Sequence, residues 1–159
     1  MREQPKHRIA PEVIPAWRIH ASLYMGAYFI LLIVLTVLAY VFEFSYIYSI
    51  LFLVLGLICT YIFVYLLPLL RYRRWRYEIF DQEIYIQHGV LIMKRTIIPM
   101  LRVQHVDTEQ GPILKRYNLA TVSISTAATT HFIPALKEED ASALRDRIST
   151  LARVEEDDL

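Results

Sequence analysis

Two apolar runs lie back to back in the first half of the chain, separated by one charge at Glu43, and the rest alternates apolar and polar residues in short segments. The first run, Ala21 to Phe42, holds no ionisable side chain except tyrosines. As a helix it would span roughly 33 Å, close to the hydrocarbon thickness of a bilayer. The second, Phe44 to Leu70, would be roughly 40 Å long and must tilt, kink or project its ends, with Pro68 near its exit. A single span through both runs would place Glu43 at mid-bilayer at a cost of about 3 kcal/mol, whereas a turn over Phe42, Glu43, Phe44 and Ser45 leaves it in water. The pattern predicts a transmembrane helical hairpin over 21–70, with helices at 21–42 and 45–70. Ser22 and Gly26 on the first helix, and Gly56 and Thr60 on the second, are small enough for close approach.

Beyond Arg71 the period shortens to two, the mark of half-buried strands. Arg76 to Phe80 and Ile84 to His88 predict a hairpin around Asp81, Gln82 and Glu83. Val90 to Ile98 reads as a third strand, with Val90, Ile92, Thr96 and Ile98 on one face and Pro99 ending it. Leu101 to Thr108 is a fourth, stopped by Gly111-Pro112. A short helical turn over Ile113 to Tyr117 then ends at Asn118, a residue suited to the left-handed conformation. Thr121 to Thr126 and Thr130 to Leu136 are further strands, with Ser123 and Ser125 on a solvent face. The last element is a helix from Glu138 to Arg153, with Ala141, Leu144, Ile148 and Leu151 as its apolar stripe and three acids in its first turn. Residues 154–159 read as a frayed acidic tail.

The arm Met1 to His20 carries prolines at 5, 11 and 15, which favour an extended segment skirting the membrane. Trp17 and Trp75 are expected in the headgroup layer at one interface, with Tyr40, Tyr46 and Tyr48 at the other. Arg2, Lys6, Arg8 and Arg18 precede the first span, Arg71, Arg73, Arg74 and Arg76 follow the second, and the turn has no basic residue. That asymmetry predicts a protein crossing the cell membrane twice, with both termini in the cytoplasm. The organisation is then an arm over 1–20, a hairpin over 21–70, an α+β, mainly β, cytoplasmic domain over 71–153, and the tail.

Composition narrows the chemistry. Of 159 residues, Cys59 is the one cysteine and lies inside a span, so there is no disulfide framework. His88, His105 and His131 have no close-spaced partner of the metal-binding kind, and no metal or cofactor is expected. No phosphate loop, nucleophile elbow or nucleophile with a positioned base appears, so no enzyme activity is expected. The spans hold no Asp, Glu, Lys, Arg or His, which removes an autonomous transporter. The basic cluster with Lys94 and Arg95 forms a candidate surface for anionic lipid, and no nucleic-acid partner is expected.

Arg102-Val103-Gln104-His105-Val106-Asp107-Thr108-Glu109-Gln110-Gly111-Pro112, followed by Leu114, Arg116, Leu119-Ala120 and Ser125-Thr126-Ala127, resembles the signature of the bacterial pleckstrin-homology-like membrane protein family, in its short, YdbS-like members. The resemblance covers about residues 71–148. It implies a bent sheet or partial barrel of seven strands capped by a C-terminal helix. It also implies a partner, a larger membrane protein with tandem domains of the same family; copies of the chain itself are a second candidate partner. Some relatives are associated with resistance to, or export of, membrane-active bacteriocins. Asn118 stands where the family usually has glycine, and Ala128 where it often has another. Within the signature, Arg102, Gln104, Asp107, Gln110, Gly111, Pro112 and Arg116 are candidates for a partner surface. The polar side chains at 102, 104, 105 and 107 either offer hydrogen bonds to a partner or lipid phosphate, or satisfy backbone groups at a bulge of the bent sheet.

Overall fold

In the computed structural model, which describes residues 4–157 and the side chains of residues 4–154, the chain forms two compact units. One comprises residues 14–70; the other combines the stretch up to Val13 with the chain from Arg71 onward.

The first unit is the hairpin. Helix α1 (Val13–Val41) and the continuous helical stretch Ile47–Arg74 are each long and apolar enough to cross a membrane. Helix α1 begins eight residues before the predicted span, so the extended arm through His20 is corrected. Pro15 falls in its first turn, where a backbone N–H has no helical acceptor and proline is tolerated. At the far end Glu43 takes a left-handed φ of 56°. Phe44 N–H reaches the Ala39 carbonyl at 2.8 Å and Glu43 N–H the Tyr40 carbonyl at 3.3 Å, a Schellman closure built without glycine. Tyr40, Tyr46 and Tyr48 stand exposed at this turn.

The returning helix is α2 (Ile47–Thr60), a π-helical turn over Tyr61–Leu66, and α3 (Leu67–Arg74). Pro68 explains the wide turn. It has no N–H for the Val64 carbonyl and would press on that carbonyl in a regular α-helix. Leu67 N–H instead reaches back to Ile62, opening the backbone just before the proline.

The second unit holds two sheets. One has the order β1-β2-β3-β4, with β1 (His7–Arg8), β2 (Arg76–Ile79), β3 (Glu83–His88) and β4 (Lys94–Pro99); the other has the order β5-β6-β7, with β5 (Val103–Glu109), β6 (Leu119–Thr126) and β7 (Thr130–Lys137). Their core includes Ile84, Met100, Leu119, Ile124, Ile133 and Ile148. A short helix α4 (Pro112–Arg116) joins β5 to β6 and ends at Asn118, whose φ of 52° matches the expected left-handed cap. Helix α5 (Glu138–Asp157) starts on a hydrogen bond from Glu138 N–H to the Asn118 carbonyl and buries Ala141 and Ile148. Its backbone continues through Asp157, so the tail predicted from residue 154 is helical there; residues 158 and 159 lie outside the described residues.

The seventh strand comes from the arm. His7 pairs with Tyr77 and Arg8 with Arg76, and Ile9, Ala10 and Val13 are buried. Ala10 N–H donates to the Ala135 carbonyl at 2.9 Å. Ala135 has a φ of 55° at a bulge where two residues of β7, Pro134 and Ala135, oppose Thr121 of β6. The hairpin is therefore an insertion between two adjacent strands of one sheet.

Three further expectations are corrected. Val90–Met93 is a turn and not the start of a strand, because Gly89 at φ 131° redirects the chain and a Cβ there would overlap the Ile92 carbonyl oxygen. Ser123 is buried, since it sits on the central strand between Asp107 and Phe132, whose larger side chains flank it. Trp75 is 4% exposed and stacks on His88 at 5.9 Å, so it belongs to the domain and not to the headgroup layer.

Candidate functional site

The end of the four-stranded sheet at which β2 begins collects most of the basic side chains marked in the sequence. Arg8 pairs with Arg76, Arg76 with Gln87, and Gln87 with Arg95. Residues paired across antiparallel strands point to the same face, with Cβ atoms about 5 Å apart. Three arginines from β1, β2 and β4 thus stand in a row with Gln87, which is buried and whose Oε1 accepts no hydrogen bond among the described residues. Like charges directly opposite, as at Arg8 and Arg76, repel one another, so the row favours a neighbouring anion.

On the other face of the same strands His88 pairs with Lys94. Burial holds the His88 imidazole below the usual histidine range, and Lys94, Arg71 and His131 lower it further. His131, from β7, is lowered by burial and by Lys94. Arg71, His88, Lys94 and His131 therefore share one locality, and the two imidazoles stay neutral near neutral pH. Arg74 donates from Nη1 to the Val90 carbonyl, tying the β3–β4 turn to the basic segment, while Arg73 is exposed in the last turn of α3.

Of the six predicted lipid-facing cations, Arg71, Arg74, Arg76, Lys94 and Arg95 meet at this end of the sheet. Arg8, His88 and His131 join them. The sequence marked Arg8 only as one of four basic residues before the first span; its strand pairing, across the whole hairpin, has no local mark.

The signature divides in two. Gln104 is the bulged residue of β5, skipped between the pairs Val103 with Thr126 and His105 with Ser125. Arg102, Gln104, His105 and Asp107 are exposed. Gln104, His105 and Asp107 border a groove of about 370 Å³ completed by Ser149, Ala152 and Arg153 of α5. Gln110 instead is structural: its Nε2 donates to the Leu119 carbonyl at 3.0 Å and lies 3.5 Å from Glu138 Oε2. Gly111 and Pro112 start α4, and Arg116 lies in its last turn. His105 stands on β5, apart from His88 and His131, and no group of three potential ligands able to hold a metal occurs among the described residues.

Two bilayer-length helices inserted between the first strands of a seven-stranded, helix-capped β-domain define a membrane protein of pleckstrin-homology type. The chain belongs to the bacterial PH domain family, whose model matches residues 13–152. It is similar to the UPF0699 transmembrane protein YdbS of Bacillus subtilis (strain 168), with 48% identity over 159 residues that cover all of both chains. It is also similar to the UPF0699 transmembrane protein YdbT of the same organism, with 25% identity over 93 residues, 55% of this chain and 19% of that protein. No solved structure matches the chain.

Proposed function

We propose that this is a non-enzymatic bacterial cell-membrane protein whose PH-type domain, cytoplasmic together with both termini, senses the anionic surface of its own membrane. The observation that carries this reading is the convergence of Arg8, Arg76 and Arg95 on one face of a sheet end, with Arg71 and Lys94 beside two neutral histidines on the other. Phosphodiester headgroups supply a countercharge that no ion pair gives the row among the described residues. The basic flanks of the two spans support the orientation. The test uses the full-length protein reconstituted in mixed phosphatidylglycerol and phosphatidylcholine bilayers, reading which lipid is enriched around it. Enrichment of phosphatidylglycerol that weakens with salt and is lost in an Arg76→Gln, Lys94→Gln, Arg95→Gln variant supports the reading. Equal enrichment in the variant overturns it.

A second reading is assembly with related membrane proteins. It is favoured by the exposed polar residues of the signature on β5, an edge strand beside the groove to α5. Edge strands accept a further strand, and exposed polar groups there set register and partner. The partner meant is a larger membrane protein of the same family, of which YdbT is an example, or a second copy. By the family resemblance, the assembly contributes to protection against membrane-active peptides such as bacteriocins. Isolation from native membrane with a related protein bound supports this reading; a lone monomer across mild detergents overturns it.

A further inference from the structure

Among the described residues, the most exposed large apolar side chains of the β-rich unit stand together at one place. Leu91 is 95% exposed and Ile92 84% exposed, adjacent in the turn Gly89–Met93 between β3 and β4. Five residues link those strands, more than a tight hairpin needs, and the turn is not loose. Gly89 adopts a φ of 131° that other residues rarely reach, and Arg74 holds the Val90 carbonyl. A turn shaped in this way presents two branched apolar side chains outward at a fixed place.

Topology says what lies at that place. Arg76, where β2 receives the chain from the second span, is paired with Arg8 at the end of β1. Gln87, near the end of β3, pairs with Arg76 as well. The turn therefore projects from the end of the sheet at which the chain returns from the bilayer. Its flanks carry charge of one sign: Lys94 and Arg95 follow it and Arg74 is bonded to it. An apolar tip with a cationic collar matches the layered chemistry of an anionic membrane surface, phosphate outside and acyl chain beneath.

We propose that Leu91 and Ile92 form a wedge that enters the interfacial layer of the bilayer in which the protein is anchored, fastening the domain to the membrane surface. This rests on the lipid-surface reading above but adds an apolar contact, which depends on neither salt nor headgroup charge. The wedge turns tethering into docking: the two spans keep the domain near the membrane, and the turn holds one end of its sheet against it.

The test places a spin label on the full-length protein through Ile92→Cys or, separately, Leu91→Cys, each in a Cys59→Ser background, with Arg147→Cys on the exposed face of α5 as reference. Each protein is reconstituted in phosphatidylglycerol and phosphatidylcholine vesicles. Labels at 91 and 92 are expected to collide with membrane-dissolved oxygen more than with a water-soluble nickel chelate, and the label at 147 to show the reverse. Labels at 91 and 92 as open to the chelate as the one at 147 overturn the wedge. Protection that appears only when native membrane proteins are added also overturns it and assigns the turn to a protein partner. Protection that persists at high salt, while phosphatidylglycerol enrichment is absent, sustains the wedge and removes the electrostatic reading. Enrichment with unprotected labels does the opposite.

Discussion

The Tyr28 ring fills the space that a side chain at Gly56 would need: a Cβ there falls 2.5 Å from Tyr28 Cε1 and 3.3 Å from the Phe29 ring. The Tyr28 hydroxyl donates to the Phe52 carbonyl at 2.8 Å, so the ring cannot swing aside without breaking a hydrogen bond between the helices. Gly56→Leu is expected to destabilise the hairpin by about 1–3 kcal/mol through overpacking. Gly26, whose Cβ direction is open, should accept leucine without loss. Thermal unfolding of the full-length protein in detergent distinguishes them. Equal losses at both positions would refute the packing argument.

That contrast shows how far the sequence could be read. Small residues on both spans were visible, yet of the two glycines Gly56 meets the facing helix and Gly26 does not, because a pattern of small residues does not say which face of a helix turns inward. The hairpin, the strand order from β2 to β7, the Asn118 cap and α5 were legible, since each follows from local periodicity or turn chemistry. The arm was not. A two-residue strand has no period, and its partner lies beyond the whole hairpin. The turn after Gly89 was hidden for the opposite reason: Val90, Leu91 and Ile92 look like strand residues, and only the backbone conformation of Gly89 removes them from the sheet. Among the site residues, the basic cluster was visible as a cluster, but its division between two faces needed the register.

The arm supplies a second prediction. Ile9 is 2% exposed, and the next residue bonds Ala135 at the β7 bulge. Ile9→Ala is expected to cost about 2–4 kcal/mol, the range for truncating a buried aliphatic side chain. Leu91→Ala, at a position 95% exposed, should leave detergent-solubilised protein within about 0.5 kcal/mol of the parent. Denaturant titration of the full chain measures both. A negligible effect at Ile9 would mean that the first strand is dispensable to the fold.

Acid should weaken the domain through its two histidines. Burial and the neighbouring cations hold His88 and His131 below the ordinary histidine range. As pH falls through about 6.5, the unfolded chain takes up protons that the native imidazoles refuse, so stability declines until the native groups titrate in turn. His88→Phe keeps an aromatic ring against Trp75 and removes the titration. The denaturation midpoint of this variant should fall less between about pH 7.5 and pH 5 than that of the parent. Parallel pH curves would show that His88 carries no such linkage.

Gln110 tests whether the signature is one surface or two. Its Nε2 is the donor to the Leu119 carbonyl at the start of β6, and Glu138 Oε2 lies 3.5 Å away at the start of α5. Gln110→Glu keeps the shape, deletes the donor and sets two carboxylates side by side, so the Leu119 carbonyl loses its side-chain donor while Glu138 gains a like charge. The expected cost is about 1–3 kcal/mol. Adding Glu138→Gln should return the part due to repulsion and leave the part due to the lost donor, which separates the two causes. Gln104→Glu, at the exposed bulge of β5, should change stability by less than about 0.5 kcal/mol. Thermal denaturation at neutral pH reads all four proteins. If Gln104→Glu proves as damaging as Gln110→Glu, the segment from 102 to 112 acts as one structural unit. If it is silent in stability, Gln104 belongs to the surface offered beside the α5 groove, and its substitution should be read in what the protein binds.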